Sequence, residues 1–253
     1  MFSFNSDPLQ EEKYTIIPGL IHKYENRILV ELNLNCPVVC EFCTRKRKGI
    51  GKNNFNLSMK DWCKIEDYIK SNTEIREIIL SGGDPLVDIN FLIKILERIK
   101  NISQIKIVRI HTRIPITAPN KISKLFLTYL DKETKERPIY ISIHCDHKKE
   151  LTKEAKEVII LLRNSGAILY SQSVFLKNYN DTVKDLKELY ESLLELGVRP
   201  YYLYQCDKID GWQKFKVPFW KEIWLVKKLN KQISGLACPI FVVDSKKYKK
   251  RFY

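Results

Sequence analysis

The sequence predicts an α/β protein, a partial and open (β/α)6 barrel, with a doubly wound open sheet as the runner-up. Three observations predict it. Short apolar runs alternate with longer segments whose apolar residues recur at helical spacing, and such alternation means parallel strands joined by helical crossovers. Six main strands of this kind fit within the 253 residues. The residues capable of chemistry (36–43, 82–84, 111–113, 144–147, Gln172, Asp207 and Asp244) fall where the apolar runs end. In both folds that is the C-terminal strand edge, where working groups gather.

Taken in order, residues 1–25 read as an irregular lead-in containing the turn Ile17-Pro18-Gly19-Leu20. The first strand spans 26–35, and a cysteine loop and the basic run Arg45-Lys46-Arg47-Lys48 follow it. Met59, Trp62, Ile65, Tyr68 and Ile69 mark a helix over 58–71, with Ser58 as its N-cap. Further strands are expected at 77–81, 104–110, 138–144, 167–174 and 198–204, with a short last one at 238–244. Helices are expected at 89–100, 119–132, 150–165, 181–196 and 216–231, the fourth of these stopped by Gly197. The division is a lead-in (1–25), a barrel (26–244) and a basic tail (245–253).

Hydrophobic residues make up 44% of the chain, enough for a substantial core. No run approaches the ~20 apolar residues of a membrane-spanning helix, and the N-terminus lacks the pattern of a signal peptide. Cytoplasm is therefore the expected location, without a membrane partner. Seven cysteines, three clustered and four scattered (Cys63, Cys145, Cys206, Cys238), do not form a disulfide framework. The formal charge of +14 favours polyanions. However, the lysines are spread along the chain without a stripe or a nucleic-acid motif, which argues against nucleic acid as the main partner.

The most informative stretch is Cys36-Pro37-Val38-Val39-Cys40-Glu41-Phe42-Cys43. Three thiolates on one loop after a strand can hold three irons of a 4Fe–4S cube and leave the fourth open to chemistry. Zinc wants four ligands, usually as two separated pairs, and matches a lone CxxxCxxC poorly. Ser81-Gly82-Gly83-Asp84 ends the next strand; its glycines allow close backbone approach, and Asp84 can take an ammonium group. His144-Cys145-Asp146-His147 reads as a satisfied polar loop before a second metal site. Asp207 and Asp244, each ending a late strand, can bind a cation or act as acid and base. Together with Arg45 they suit a substrate with a carboxylate at one end and an ammonium group at the other.

These motifs resemble the lysine 2,3-aminomutase family of radical S-adenosylmethionine (SAM) enzymes. The resemblance runs over residues 17–244, from Ile17-Pro18-Gly19-Leu20 through Cys36-x3-Cys40-x2-Cys43-Thr44-Arg45 and Ser81-Gly82-Gly83-Asp84-Pro85-Leu86. It continues through Gln172-Ser173-Val174 and the more specific RPYYLYQCD (199–207) and FVVD (241–244). The resemblance implies that Cys36, Cys40 and Cys43 hold a 4Fe–4S cluster, with SAM on the open iron next to Gly82, Gly83 and Asp84. It implies conversion of L-lysine to β-lysine through a 5′-deoxyadenosyl radical and an imine on pyridoxal 5′-phosphate (PLP). In that scheme Arg45 matches the position that binds the substrate carboxylate, and Asp207 and Asp244 match the pair that binds its side-chain ammonium. Arg27 and Lys23 fall near the PLP phosphate, and Gln172 on a site-lining glutamine. The expected electron donor is a flavodoxin- or ferredoxin-type protein.

The tail departs from the family. Where the family has a glycine-rich stretch ending in the PLP-binding lysine, this chain has Ser245-Lys246-Lys247-Tyr248-Lys249-Lys250, and Arg251 stands in the register of that lysine. Lys250 or Lys249 is then the expected anchor. The family's C-terminal extension with its zinc cysteines and its long helical N-terminal region have no counterpart here. Two alternatives stand beside the aminomutase reading: a PLP-independent radical SAM enzyme acting on another amino acid or a peptide, and a non-enzymatic basic iron–sulfur or nucleic-acid-binding module.

Overall fold

The computed structural model describes residues 7, 10–50, 55–207, 209, 211–244 and 250–252, with Lys250 through its backbone alone. Its centre is a run of seven parallel strands: β3 (Arg27–Asn33), β4 (Glu77–Gly82), β5 (Ile107–Thr112), β6 (Ile139–His144), β7 (Ile168–Val174), β8 (Arg199–Tyr204) and β9 (Ile240–Val243). Six crossovers join them, built on α1 (Met59–Ser71), α2 (Ile89–Lys100), the pair α3 (Ile114–Thr117) and α4 (Lys124–Glu133), α5 (Lys153–Asn164), α6 (Val183–Glu195) and α7 (Phe219–Leu229). The strands are hydrogen-bonded in sequence order, the arrangement of a barrel that winds in one direction, and not of a doubly wound sheet, whose order reverses.

The helices begin where short polar side chains can satisfy their unpaired backbone N–H groups. Ser58, Asp88, Ser123, Thr152 and Thr182 each accept a hydrogen bond from an N–H in the first turn. Each helix then turns an apolar face onto the sheet: Trp62, Ile65 and Ile69 from α1, and Leu92, Ile95, Leu96 and Ile99 from α2, are fully buried. Each such side chain stabilises the fold by ~1.5–3 kcal/mol. The helix expected at 119–132 starts later, at Lys124. Pro115 and Pro119 break the preceding stretch into a single turn and a 3-10 turn, and Ser123 supplies the cap.

Both ends of the chain differ from expectation. The lead-in is not irregular throughout, because β1 (Thr15–Ile17) and β2 (Leu20–Tyr24) form a hairpin that adds antiparallel strands beside β3. The expected turn at Pro18-Gly19 joins them, with Gly19 at φ +87°. At the other edge the tail returns as β10 (Lys250–Phe252), antiparallel to β9, with Arg251 opposite Val242 and Phe252 opposite Phe241. Phe252 fixes this return by packing edge-on to Phe219 (5.6 Å) and against Phe241 (5.7 Å). The sheet ends in β1 on one side and β10 on the other, so the barrel is open. No helix among the described residues is long and apolar enough to cross a membrane.

Candidate active site

A cavity of about 440 Å³ opens at the C-terminal ends of the parallel strands. The three cysteines of the loop line it, as do Arg45, Gly82, Gly83 and Asp84. Gln172, Asp207, Asp244, Lys23 and Arg27 line it too. Residues spread over more than two hundred positions of sequence therefore meet around one void.

The cysteine loop leaves β3 through Asn33 and Asn35, whose backbones are clamped to the glycine turn. The Gly83 N–H donates to the Asn33 carbonyl (2.7 Å) and the Asp84 N–H to that of Asn35 (2.8 Å). Gly82 sits at φ +121°, and a Cβ on it would collide with the Asn33 carbonyl oxygen. The close approach that these glycines permit is thus first of all to the chain's own backbone, under the cysteine loop.

Asp84 closes the same turn. It is 3% exposed, and its carboxylate accepts from the Thr112 hydroxyl and from the N–H groups of Leu86, Arg113 and Ile114. Burial pushes the carboxyl upward against those bonds. Its oxygens tie β4 to the end of β5.

Cys36, Cys40 and Cys43 are free and half-buried. Burial, followed by the negative charge of Asp84 and of the other two thiolates, pushes the Cys36 thiol up to about 12. Burial likewise raises Cys40, with Arg113 opposing. Left alone the Cys36 and Cys40 thiols stay protonated at neutral pH; coordination to a cationic cluster reverses that preference. No three His, Cys, Asp or Glu side chains among the described residues are gathered closely enough to hold a single ion. A three-thiol donor set on one loop, each thiol for its own iron, fits a cube.

Arg45 lies in the 3-10 turn after the loop, within a buried charge network absent from the sequence reading. Its Nε stands 3.0 Å from Glu31, its Nη2 reaches Glu11 at 3.4 Å, and its Nη1 donates to the Ser81 hydroxyl and the Gly82 carbonyl at 3.3 Å. Glu11 also meets Arg47 (3.2 Å) and Lys48 (3.4 Å), and Glu31 meets Lys48 at 2.7 Å. Burial works to raise the Glu11 carboxyl, but Arg45, Lys48 and Arg47 outweigh it and hold it below the usual range.

The polar side chains of the 144–147 segment meet partners within the chain. Asp146 is fully buried, 2.9 Å from His144 Nε2, and accepts from the Val174 N–H at 2.8 Å. The His147 Nδ1 accepts from the Lys149 N–H. Behind the Asp207 wall, Gln205 donates to the fully buried Glu222 of α7 at 2.5 Å. Burial, partly offset by that bond, pushes the Glu222 carboxyl up to about 7.

On the open side, Lys23 and Arg27 share the cavity with Arg109 and Arg251. The Arg27 guanidinium covers the Tyr24 ring at 3.9 Å, and Arg109 pairs with Glu77 at 3.0 Å. Strand β10 carries Arg251 into the cavity, where it donates to the Tyr202 hydroxyl at 3.2 Å. Lys249 lies outside the described residues, and Lys250 enters only as backbone. Among the described tail residues, the side chain that lines the cavity is thus a guanidinium, which forms no imine.

A model of the 4Fe-4S single cluster domain matches residues 27–131. The chain is 38% identical to L-lysine 2,3-aminomutase of Methanococcus maripaludis over 240 residues, 94% of this chain and 54% of that one. It is 36% identical to the Clostridium subterminale protein of the same name, covering 94% and 57%. With that of Buchnera aphidicola it shares 37% over 257 residues, covering 99% and 73%. The chain thus spans little more than half the length of the first two. Among solved structures, Streptococcus suis SuiB bound to S-adenosylmethionine superposes with a TM-score of 0.60 at 16% identity, covering 92% of this chain and 52% of that one. A radical SAM methyltransferase from Sphaerobacter thermophilus gives 0.61 at 12% identity, covering 91% and 72%. The structural likeness establishes the radical SAM barrel, and the sequence identity goes further: the chain belongs to the L-lysine 2,3-aminomutase family.

Proposed function

We propose that this chain is a radical SAM enzyme that moves an amino group within a lysine-like diamino acid, converting L-lysine to β-lysine. One observation carries the reading. Arg45, Asp207 and Asp244 line the same cavity as the three cysteines. A fixed cation and two carboxylates around one void match a substrate with a carboxylate at one end and an ammonium group at the other.

When bound, the cluster and SAM supply the one-electron chemistry. The chain's own residues do the rest. Cys36, Cys40 and Cys43 ligate the irons, while the Gly82-Gly83 turn holds their loop against β3. Arg45 takes the substrate carboxylate with its guanidinium oriented by Glu31 and Glu11, and Asp207 and Asp244 take the distal ammonium. Gln172 lines the SAM side, and Arg27, Lys23 and Arg251 form the cationic end that attracts an anionic group. Tyr201 and Tyr202, stacked at 3.8 Å, wall the cavity and exclude water. A flavodoxin- or ferredoxin-type protein supplies the electron. Arg251 in the cavity favours one second reading: a radical SAM enzyme that works on an amino acid without PLP.

The test is anaerobic cluster reconstitution followed by incubation with dithionite, SAM and L-lysine, with and without PLP. Mass spectrometry follows 5′-deoxyadenosine and β-lysine. PLP-dependent β-lysine supports the aminomutase. Deoxyadenosine without β-lysine under either condition supports the second reading. A loaded cluster that releases no deoxyadenosine contradicts both.

A further inference from the structure

Arg113 follows β5 and turns its guanidinium back onto the cysteine loop. Its Nη1 lies 2.7 Å from the Cys40 sulfur. Its Nη2 donates to Glu150 at 2.9 Å and stands 3.3 Å from the fully buried Asp146. The Phe42 ring lies 5.6 Å from the guanidinium carbon, and the Arg113 backbone N–H is tied to Asp84 at 2.7 Å. Glu150 is itself held by the Tyr179 hydroxyl at 2.9 Å, and Asp146 by His144 and the Val174 N–H. The guanidinium is therefore aimed by partners that do not depend on the thiol.

We infer that Arg113 is a positioning residue that acts through Cys40 to set the reduction potential of the cluster, with Glu150 as the counter-charge that trims it. This rests on the cysteine loop holding the cluster, as proposed above. Iron–sulfur potentials follow net charge, hydrogen bonds to the sulfurs and exposure. A low-potential one-electron donor gives up one electron, the 4Fe–4S core passes from 2+ to 1+, and negative charge accumulates on the sulfurs. A cationic N–H donor on a ligand sulfur stabilises that electron-rich state more than the oxidised one, so Arg113 raises the potential. Glu150 places negative charge on the far side of the same guanidinium and lowers it.

The two residues therefore act with opposite signs, which a merely structural role does not produce. The experiment is a dithionite titration of the anaerobically reconstituted full chain with redox mediators, reading the reduced-cluster signal by electron paramagnetic resonance. Arg113→Gln and Glu150→Gln are compared with wild type. For Arg113→Gln, the ratio of reduced to oxidised cluster at a fixed potential falls about tenfold, a shift of about 59 mV for one electron. For Glu150→Gln the ratio rises. Both variants at the wild-type potential, or both shifted the same way, overturn the inference. If Arg113→Gln takes up no cluster, Glu150→Gln decides alone: an unchanged or lowered potential overturns it. A wild-type chain that builds no 4Fe–4S signal defeats the cluster reading itself and this inference with it, whereas a loaded wild type with unmoved variants defeats only the inference.

Discussion

Gly83 and Asn35 touch backbone to backbone: a Cβ on Gly83 would lie 2.6 Å from the Asn35 carbonyl carbon. That contact seats the cysteine loop on the end of β4. Gly83→Ala must push the two segments apart, because neither partner is a flexible side-chain end. Overpacking of this kind costs about 1–3 kcal/mol, and more where backbone must move. The expected result is a destabilisation of about 3 kcal/mol by chemical denaturation, together with reduced iron and sulfide per chain after reconstitution. Wild-type stability and full iron content in Gly83→Ala would contradict this seating.

Glu222 gives a pH signature. Burial raises its carboxyl from 4.5 to about 7, so the folded chain holds the proton more tightly than the unfolded one. The contribution is fully present below the unfolded value and is lost as pH rises from about 4.5 through about 7. Above that window the folded protein carries a buried charge with Gln205 as its hydrogen-bond donor. Glu222→Gln keeps the shape and removes the titration. The variant should match wild type near pH 4 and exceed it near pH 8 by on the order of 3 kcal/mol. An equal difference at both pH values would show that Glu222 does not titrate in this range.

Arg251→Lys tests the tail. The substitution puts a primary amine on the residue that now reaches Tyr202. With PLP and borohydride, peptide mapping of the variant should find the label at position 251. A variant labelled elsewhere and not at 251 would mean that the β10 side chain does not face the cofactor space.

The βα units were legible because each strand is a compact apolar run and each helix has an apolar stripe, so local pattern and global packing agree. The edge strands were not. β1 and β10 are three residues each, with no alternation to read, and β10 exists because Phe252 finds Phe219 and Phe241 after folding. The site was legible as a list of strand ends, because parallel topology carries those ends to one rim. Its pairings were not, since Arg45 with Glu11 and Arg113 with Cys40 join residues 34 and 73 positions apart. Asp84 shows the remaining gap: which donors a buried carboxylate meets is set by the fold, here Thr112 and three backbone N–H groups.

The central claim is that the three-cysteine loop leaves one iron open to SAM in the cavity. Electron–nuclear double resonance on the reduced, reconstituted chain with SAM labelled by nitrogen-15 at its amino group tests it most directly. The account predicts a nitrogen coupling to the cluster signal, absent when SAM is omitted. A full cluster signal that SAM leaves unchanged would contradict it.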